Sequence, residues 1–264
     1  MFTNLIDHLA VVATATIVAL MALTIIYIIY SLSYDLHRKG GPEGNLKFFG
    51  QPQFDINSHI LGYELLLRKL NQTGEWVVPD RPNYLTLNQF LSLFKVAIQE
   101  IPAGQNISIN LSAEQLMNAS FEPFIKSLIS QTTSHQLAIE ISFADLNNWK
   151  SSLLINRMNY ARSLGAKICL DSVGSHAKDL RKLSELAESI DYLKCSMDEY
   201  RKTDESDWLD MNLGAWLIFA QSHGIKLVLS RVETNSDHIL ARYLGINYVQ
   251  GWYVGEAAEL KKMG

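Results

Sequence analysis

The sequence predicts an α/β protein: a TIM-like (β/α)8 barrel with an antiparallel first strand, preceded by one N-terminal transmembrane helix. Three observations carry this reading. Short apolar runs suited to buried strands alternate with helix-period segments to the end of the 264-residue chain. The first two runs are joined only by about six residues around Asn57-Ser58-His59, too few for the dozen or more that a parallel crossover needs. Finally, no charged side chain falls between Leu9 and Leu32, a stretch that spans a hydrocarbon layer of ~30 Å at ~1.5 Å per residue.

That stretch divides the chain into an anchor over residues 1–35, a linker over 36–46 and a barrel domain over 47–264. Tyr27, Tyr30 and Tyr34 gather near the far end of the span, as interfacial aromatics do. A cleaved signal peptide would show a basic start and a shorter apolar run; here the start carries Asp7 and no Lys or Arg. Arg38 and Lys39 follow the span, so the positive-inside rule predicts a single-pass protein of the inner (cytoplasmic) membrane. Its N-terminus would lie outside and its barrel in the cytoplasm. Gly40-Gly41-Pro42-Glu43-Gly44 ends any helix continuing from the membrane.

Strands are expected at 47–54, 61–68, 106–111, 136–142, 167–171, 190–194, 225–230 and 246–252, as apolar runs rich in Ile, Val, Leu and Tyr. Helices are expected between them. In 83–100, Leu87, Phe90, Leu91, Phe94 and Ile98 recur at helical spacing and form one apolar face. Ser112 caps the next helix. Others fall near 150–164, 177–189, 213–223 and 236–244.

A net charge of −4 without a Lys/Arg cluster argues against a nucleic-acid polymer as partner. Cys169 and Cys195 sit in apolar strand contexts and read as small buried hydrophobes.

The chemistry gathers where strands end. Glu64, Asn110, Glu140 and Asp171 place carboxylate and amide oxygens there, the ligands that a hard cation such as Mg²⁺ or Ca²⁺ takes. Lys194, Ser230 and Gln250 occupy further strand ends, and barrel sites form at the C-terminal ends of the strands. One acid is missing: the strand Ile225-Lys226-Leu227-Val228-Leu229 leads into Ser230 and Arg231. The site reads as half built.

These residues resemble the EAL domain, whose active members are metal-dependent phosphodiesterases that linearise cyclic di-GMP. Gln51-Pro52, Gly62-Tyr63-Glu64-Leu65-Leu66-Leu67-Arg68, Asn110-Leu111-Ser112, Glu140-Ile141-Ser142, Leu193-Lys194, Val232-Glu233-Thr234 and Gln250-Gly251 follow the family's motifs in order, from about Phe48 to Glu256. The resemblance implies metal ligands at Glu64, Asn110, Glu140 and Asp171. It implies dinucleotide contacts among Gln51, Glu64, Leu65, Arg68, Lys194, Arg231, Glu233 and Gln250, with Arg68 and Lys194 facing phosphate. Four departures bear on chemistry. The second of the paired aspartates is Ser172, the general base is Ser230, the glycine after it is Arg231, and the last acid of the fourth-strand motif is Phe143.

With the base and the second-metal acid replaced, no catalytic residue is assigned and the expectation is a degenerate, inactive protein. Its role would be that of a cyclic di-GMP receptor or signalling adaptor with a regulatory protein partner, and the barrel is a candidate to pair as a homodimer. Mg²⁺ or Mn²⁺ would occupy a partial site. The alternatives are a protein-interaction module that binds no nucleotide and an active metal-dependent phosphodiesterase. Arg231 is expected either to stand in for the missing cation or to pair with Glu233 or Asp171.

Overall fold

A computed structural model describes residues 16, 20–26, 45–80, 85–148, 151–174, 179–200, 213–246 and 248–261. The chain divides into two compact units, Met1–Glu43 and Gly44–Gly264. In the first, residues 20–26 are helical and their Leu20, Met21, Leu23, Ile25 and Ile26 side chains are exposed. Most of the expected transmembrane segment, together with Arg38, Lys39 and the glycine linker, lies outside the described residues. Among the described residues no helix is long and apolar enough to cross a membrane.

The second unit is a closed barrel. Its strands are β1 Leu46–Asp55, β2 Ile60–Leu70, β4 Asn106–Asn110, β5 Leu137–Ser142, β6 Lys167–Val173, β7 Tyr192–Ser196, β8 Lys226–Ser230 and β9 Tyr248–Val249. β2 and β4 to β9 run parallel, while β1 pairs antiparallel with both β2 and β9 and so closes the ring. The β1–β2 turn is built by Asp55, whose carboxylate accepts the backbone N–H groups of Asn57 and His59, both at 2.8 Å. Two short strands extend the sheet, β3 Trp76–Val77 on β2 and β10 Ala258–Glu259 on β1. Periodicity cannot register strands of two residues, and neither was expected.

Other bounds shift for local reasons. The helix expected from residue 83 begins at Leu87, because Thr86 and Gln89 form a reciprocal capping box there. Ser112 caps as expected, again with a glutamine three residues on, but the helix stops at Met117 and a second one runs over Phe121–Gln131. The eighth barrel strand, expected over 246–252, is only Tyr248–Val249. Beyond it the chain turns through Gly251, whose backbone lies so close to Val232 that an added Cβ would sit 2.3 Å from its N and O.

Each parallel strand shows one face to the helices and one to the lumen. Outward, Ile107, Ile109, Ile139, Ile141, Ile168, Leu170, Leu193 and Leu229 join Phe94, Phe121, Ile125, Leu128, Met158 and Trp216 in a single core. The inward positions between them include Ser108, Glu140, Cys169 and Lys194, which line an internal cavity. Lumens of such barrels are ordinarily filled by branched aliphatic side chains. Here the lumen is polar, and that difference makes the site.

The N-terminal end of the barrel is tied by Asp191. Its carboxylate accepts from Ile168 N–H at 3.0 Å, Arg162 Nε at 3.1 Å and Lys167 Nζ at 3.1 Å. Partial burial works to raise this carboxyl, but those hydrogen bonds outweigh it and hold it below the usual carboxylate range. A carboxyl whose pKa is lower folded than unfolded stabilises the fold above its unfolded value near ~3.9 and loses that contribution as pH falls through the folded one. Asp191→Asn should therefore cost about 1–2 kcal/mol at neutral pH. It should also flatten the acid limb of a stability–pH curve measured by denaturant unfolding below about pH 4; an acid limb as steep as wild type would contradict this role.

Candidate functional site

At the centre of the mouth the Lys194 ammonium donates to Glu64 Oε2 at 2.8 Å and to Glu140 Oε2 at 2.6 Å. All three residues are buried, at 3%, 6% and 2% exposure for Lys194, Glu64 and Glu140. Glu64 accepts further from Asn110 Nδ2 at 2.7 Å and Gln250 Nε2 at 2.7 Å. Gln250 also donates to Gln51 Oε1 at 3.1 Å, and Gln51 to the Gly255 carbonyl at 3.1 Å. From the other end of the lumen Gln53 reaches Gln250 at 3.2 Å and Glu140 at 3.4 Å.

Charge explains the arrangement. Burial works to raise the Glu64 carboxyl, but the Lys194 charge and the hydrogen bonds from Lys194, Asn110 and Gln250 hold it below the usual range. Glu140 is pushed up to about 8, first by burial and then by the Glu64 charge, against the pull of Lys194. Burial opposes the Lys194 charge, yet the two carboxylates raise its pKa well above the ordinary value. One ammonium thus serves two acids, one held below the usual carboxylate range and the other pushed above it.

Above this cluster opens a cavity of about 720 Å³. That lies within the range of small-molecule sites, roughly 300–1,000 Å³. It is lined by Gln51, Glu64, Leu65, Arg68, Asn110, Asp171, Lys194, Ser230, Arg231, Glu233 and Gln250, and so gathers the expected contact residues at one mouth. Lys194 lines the mouth with its ammonium between the Glu64 and Glu140 carboxyl groups. Arg68 gives an N–H to the Leu67 carbonyl at 3.0 Å, with its guanidinium 5.9 Å from the Phe49 ring centre. Glu64 differs in placement. It lies within β2 and not at its end, because pairing with β1 carries the ladder on to Lys69.

Asp171 and Ser172 form a bulge in β6: between the pairs Leu170–Leu193 and Val173–Cys195 these two residues oppose the single Lys194. Ser172 is exposed with a left-handed φ of 57°. Ser230 donates its hydroxyl to the Cys195 carbonyl at 3.3 Å. Arg231 has its Nε 3.8 Å from Asp198. Phe143 is buried, and its backbone N–H donates to the Asp171 carbonyl at 2.9 Å. Cys169 and Cys195 are free and buried, and burial raises both thiols, Cys195 to about 12.

The oxygen donors of Glu64, Asn110, Glu140 and Asp171 come from four adjacent strands and suit one hard divalent cation in their chemistry. In the arrangement described, Lys194 engages both glutamates and Asn110 turns its amide N–H toward Glu64. Among the described residues no group of three or more His, Cys, Asp and Glu side chains is placed to hold a metal. The set fits one cation at most. A second has no carboxylate to meet at Ser172 or Ser230.

Sequence reasoning missed Gln53, Asp198 and Trp252. Gln53 lies two residues beyond Gln51 on the same strand, so period-two alternation was the available signal. Asp198 lines the cavity from a single 3-10 turn, Met197–Glu199, and Trp252 from the turn after β9, where no periodicity marks them.

Comparison with known proteins bears on this mouth. The profile of the EAL domain matches residues 36–257. A relative from Escherichia coli (strain K12), named "Probable cyclic di-GMP phosphodiesterase PdeB", is 27% identical over 222 residues, covering 76% of this chain. The chain spans 40% of that protein's length. Among solved structures, the EAL enzyme Bd1971 bound to cAMP and cyclic di-GMP superposes with a TM-score of 0.69 at 19% identity, covering 90% of this chain and 68% of its own. The Bacillus subtilis YkuI protein, with substrate cyclic di-GMP and calcium, gives 0.67 at 21% identity, covering 82% and 56%. At these identities the structural likeness carries the fold.

Removing the shared ammonium should expose how much the cluster depends on it. Lys194→Met leaves two acids facing each other in the lumen and should cost about 3–5 kcal/mol in denaturant unfolding. Adding Glu140→Gln should recover part of that loss. A single-variant cost under about 1 kcal/mol would mean the ion pair contributes little beyond an exposed one.

Proposed function

The chain belongs to the EAL domain family, and we propose that it is a catalytically inactive member. It holds cyclic di-GMP in the barrel mouth and signals that occupancy to a partner protein at the membrane. The observation that carries this is the pair of serines. Neither Ser172 nor Ser230 offers a carboxylate, and the Ser230 hydroxyl is given to the Cys195 carbonyl. Phosphodiester hydrolysis on two cations needs a deprotonated water and charge stabilisation on both sides of phosphorus. A general base is commonly worth ~10²–10⁴-fold in rate, about 3–5 kcal/mol of barrier at ~1.4 kcal/mol per tenfold. A serine hydroxyl takes up no proton near neutral pH and brings no charge to a metal, so the site lacks both contributions.

Binding makes smaller demands. The cavity is large enough for a dinucleotide. Gln51 and Gln250 present amides, Arg68 a guanidinium, and Leu65 and Glu233 further wall. Glu64, Asn110, Glu140 and Asp171 are the residues that would hold one Mg²⁺ or Mn²⁺, whose charge would offset that of a bound phosphate. The uncharged run from Leu9 to Leu32, followed by Arg38 and Lys39, supports a single-pass anchor with the barrel in the cytoplasm.

Calorimetric titration of the full chain with cyclic di-GMP should give saturable binding. Incubation with Mg²⁺ or Mn²⁺ should yield no linear dinucleotide above background. A linear product that disappears in Glu64→Ala would overturn the inactive reading, and the absence of binding under every metal condition would overturn the receptor reading.

A further inference from the structure

We propose that Trp252 and Glu256 form a guanine-selective subsite at the rim of the mouth, the indole stacking on a base and the carboxylate reading its edge. This rests on the reading of the mouth as a cyclic di-GMP pocket. Both side chains line the cavity. Both are exposed, Trp252 to 69%. Among the described residues no ring packs on the indole and no ion pair holds the Glu256 carboxylate.

The backbone that carries them is fixed before any ligand arrives. Tyr253 N–H donates to the Val232 carbonyl at 3.0 Å, while Val254 and Gly255 N–H donate to the Gly251 carbonyl at 3.2 and 2.9 Å. Glycines seat both ends of this turn. A Cβ on Gly251 would stand 2.3 Å from the Val232 N and O, and one on Gly255 would stand 2.4 Å from Pro52 Cγ. Tyr253 is tied to the helix Asn235–Leu244, its hydroxyl donating to Asn235 Oδ1 at 3.1 Å and its ring 5.9 Å from that of His238. Single exposed aromatics are ordinary on protein surfaces. An indole on a cavity wall, with its backbone already ordered, is different, because ordering that is already complete costs nothing on binding.

The two side chains divide the work. Every base has a π-face, so stacking on Trp252 holds a base without choosing it. The choice falls to the edge. Guanine presents two adjacent donors, its ring N1–H and its exocyclic amine, and an ionised carboxylate accepts such a pair through its two oxygens. Adenine places an unprotonated ring nitrogen at the first of these positions and sets a lone pair against the carboxylate. Glu256 stands four residues beyond Trp252 in the same turn, so one rigid segment supplies both the platform and the reader.

The test titrates the full chain with cyclic di-GMP and with cyclic di-AMP, following heat and tryptophan emission, in parallel with thermal unfolding. Wild type should prefer cyclic di-GMP, and binding should quench part of the emission. Trp252→Ala should bind at least about tenfold more weakly while melting within about 2 °C of wild type, as an exposed substitution does. Trp252→Phe should recover part of the affinity and lose most of the quenching. Glu256→Gln should lose at least about fivefold for cyclic di-GMP and little for cyclic di-AMP.

Equal affinity in wild type and Trp252→Ala would overturn the subsite and leave the receptor reading standing, as would an unchanged preference between the two dinucleotides in Glu256→Gln. Weaker binding by Trp252→Ala together with a clearly lower melting temperature would also overturn it, marking a structural role. No binding of either dinucleotide to wild type, with or without Mg²⁺ or Mn²⁺, would overturn both.

Discussion

A single ammonium shared by two buried carboxylates governs the interior of this barrel. Lys194 lies between Glu64 and Glu140, and charges so placed persist in a lumen only when hydrogen bonds satisfy their remaining valences. The neighbouring polar groups answer that requirement. Asn110 and Gln250 complete Glu64, Gln53 reaches Glu140, and Gln51 completes Gln250. The network is therefore one unit. Burial first, and then the Glu64 charge, push the Glu140 carboxyl up to about 8.

Topology supplies the glutamines. Because β1 runs against all the other barrel strands, its alternating Gln51 and Gln53 enter the lumen from the opposite direction, with Gln51 in register with Glu64. The closing β9 then delivers Gln250 to the same point. The short turn at Asp55 thus does more than link two strands. It sets which side chains can complete a charge cluster contributed by strands far away in the sequence.

Much of this was legible in the residue order. Oxygen-bearing side chains after apolar runs located Glu64, Asn110, Glu140 and Asp171, and a connection too short for a crossover located the pairing of β1 with β2. The partners those side chains take were not legible. Lys194 reads as a cation at a mouth, and only the closed ring shows it flanked by carboxylates from β2 and β5. The end of β9 was misjudged because apolar Tyr248 and Val249 continue into Trp252, while Gly251 breaks the ladder by close approach to Val232. Asp198 has no pattern to mark it, since it lies in the single 3-10 turn Met197–Glu199 after β7 and meets Arg231 only through the fold.

Below the ion pair lies a second, smaller space of about 40 Å³, lined by Gln53, Ser108, Glu140, Cys169 and Lys194. Its walls offer the two to four polar partners that hold an ordered water, and the volume admits about one or two such molecules. A hydrated chamber is nearly incompressible, whereas a dry void vanishes on unfolding and makes proteins yield to hydrostatic pressure. Water held in this part of the lumen would leave no hollow for pressure to collapse beneath the charges.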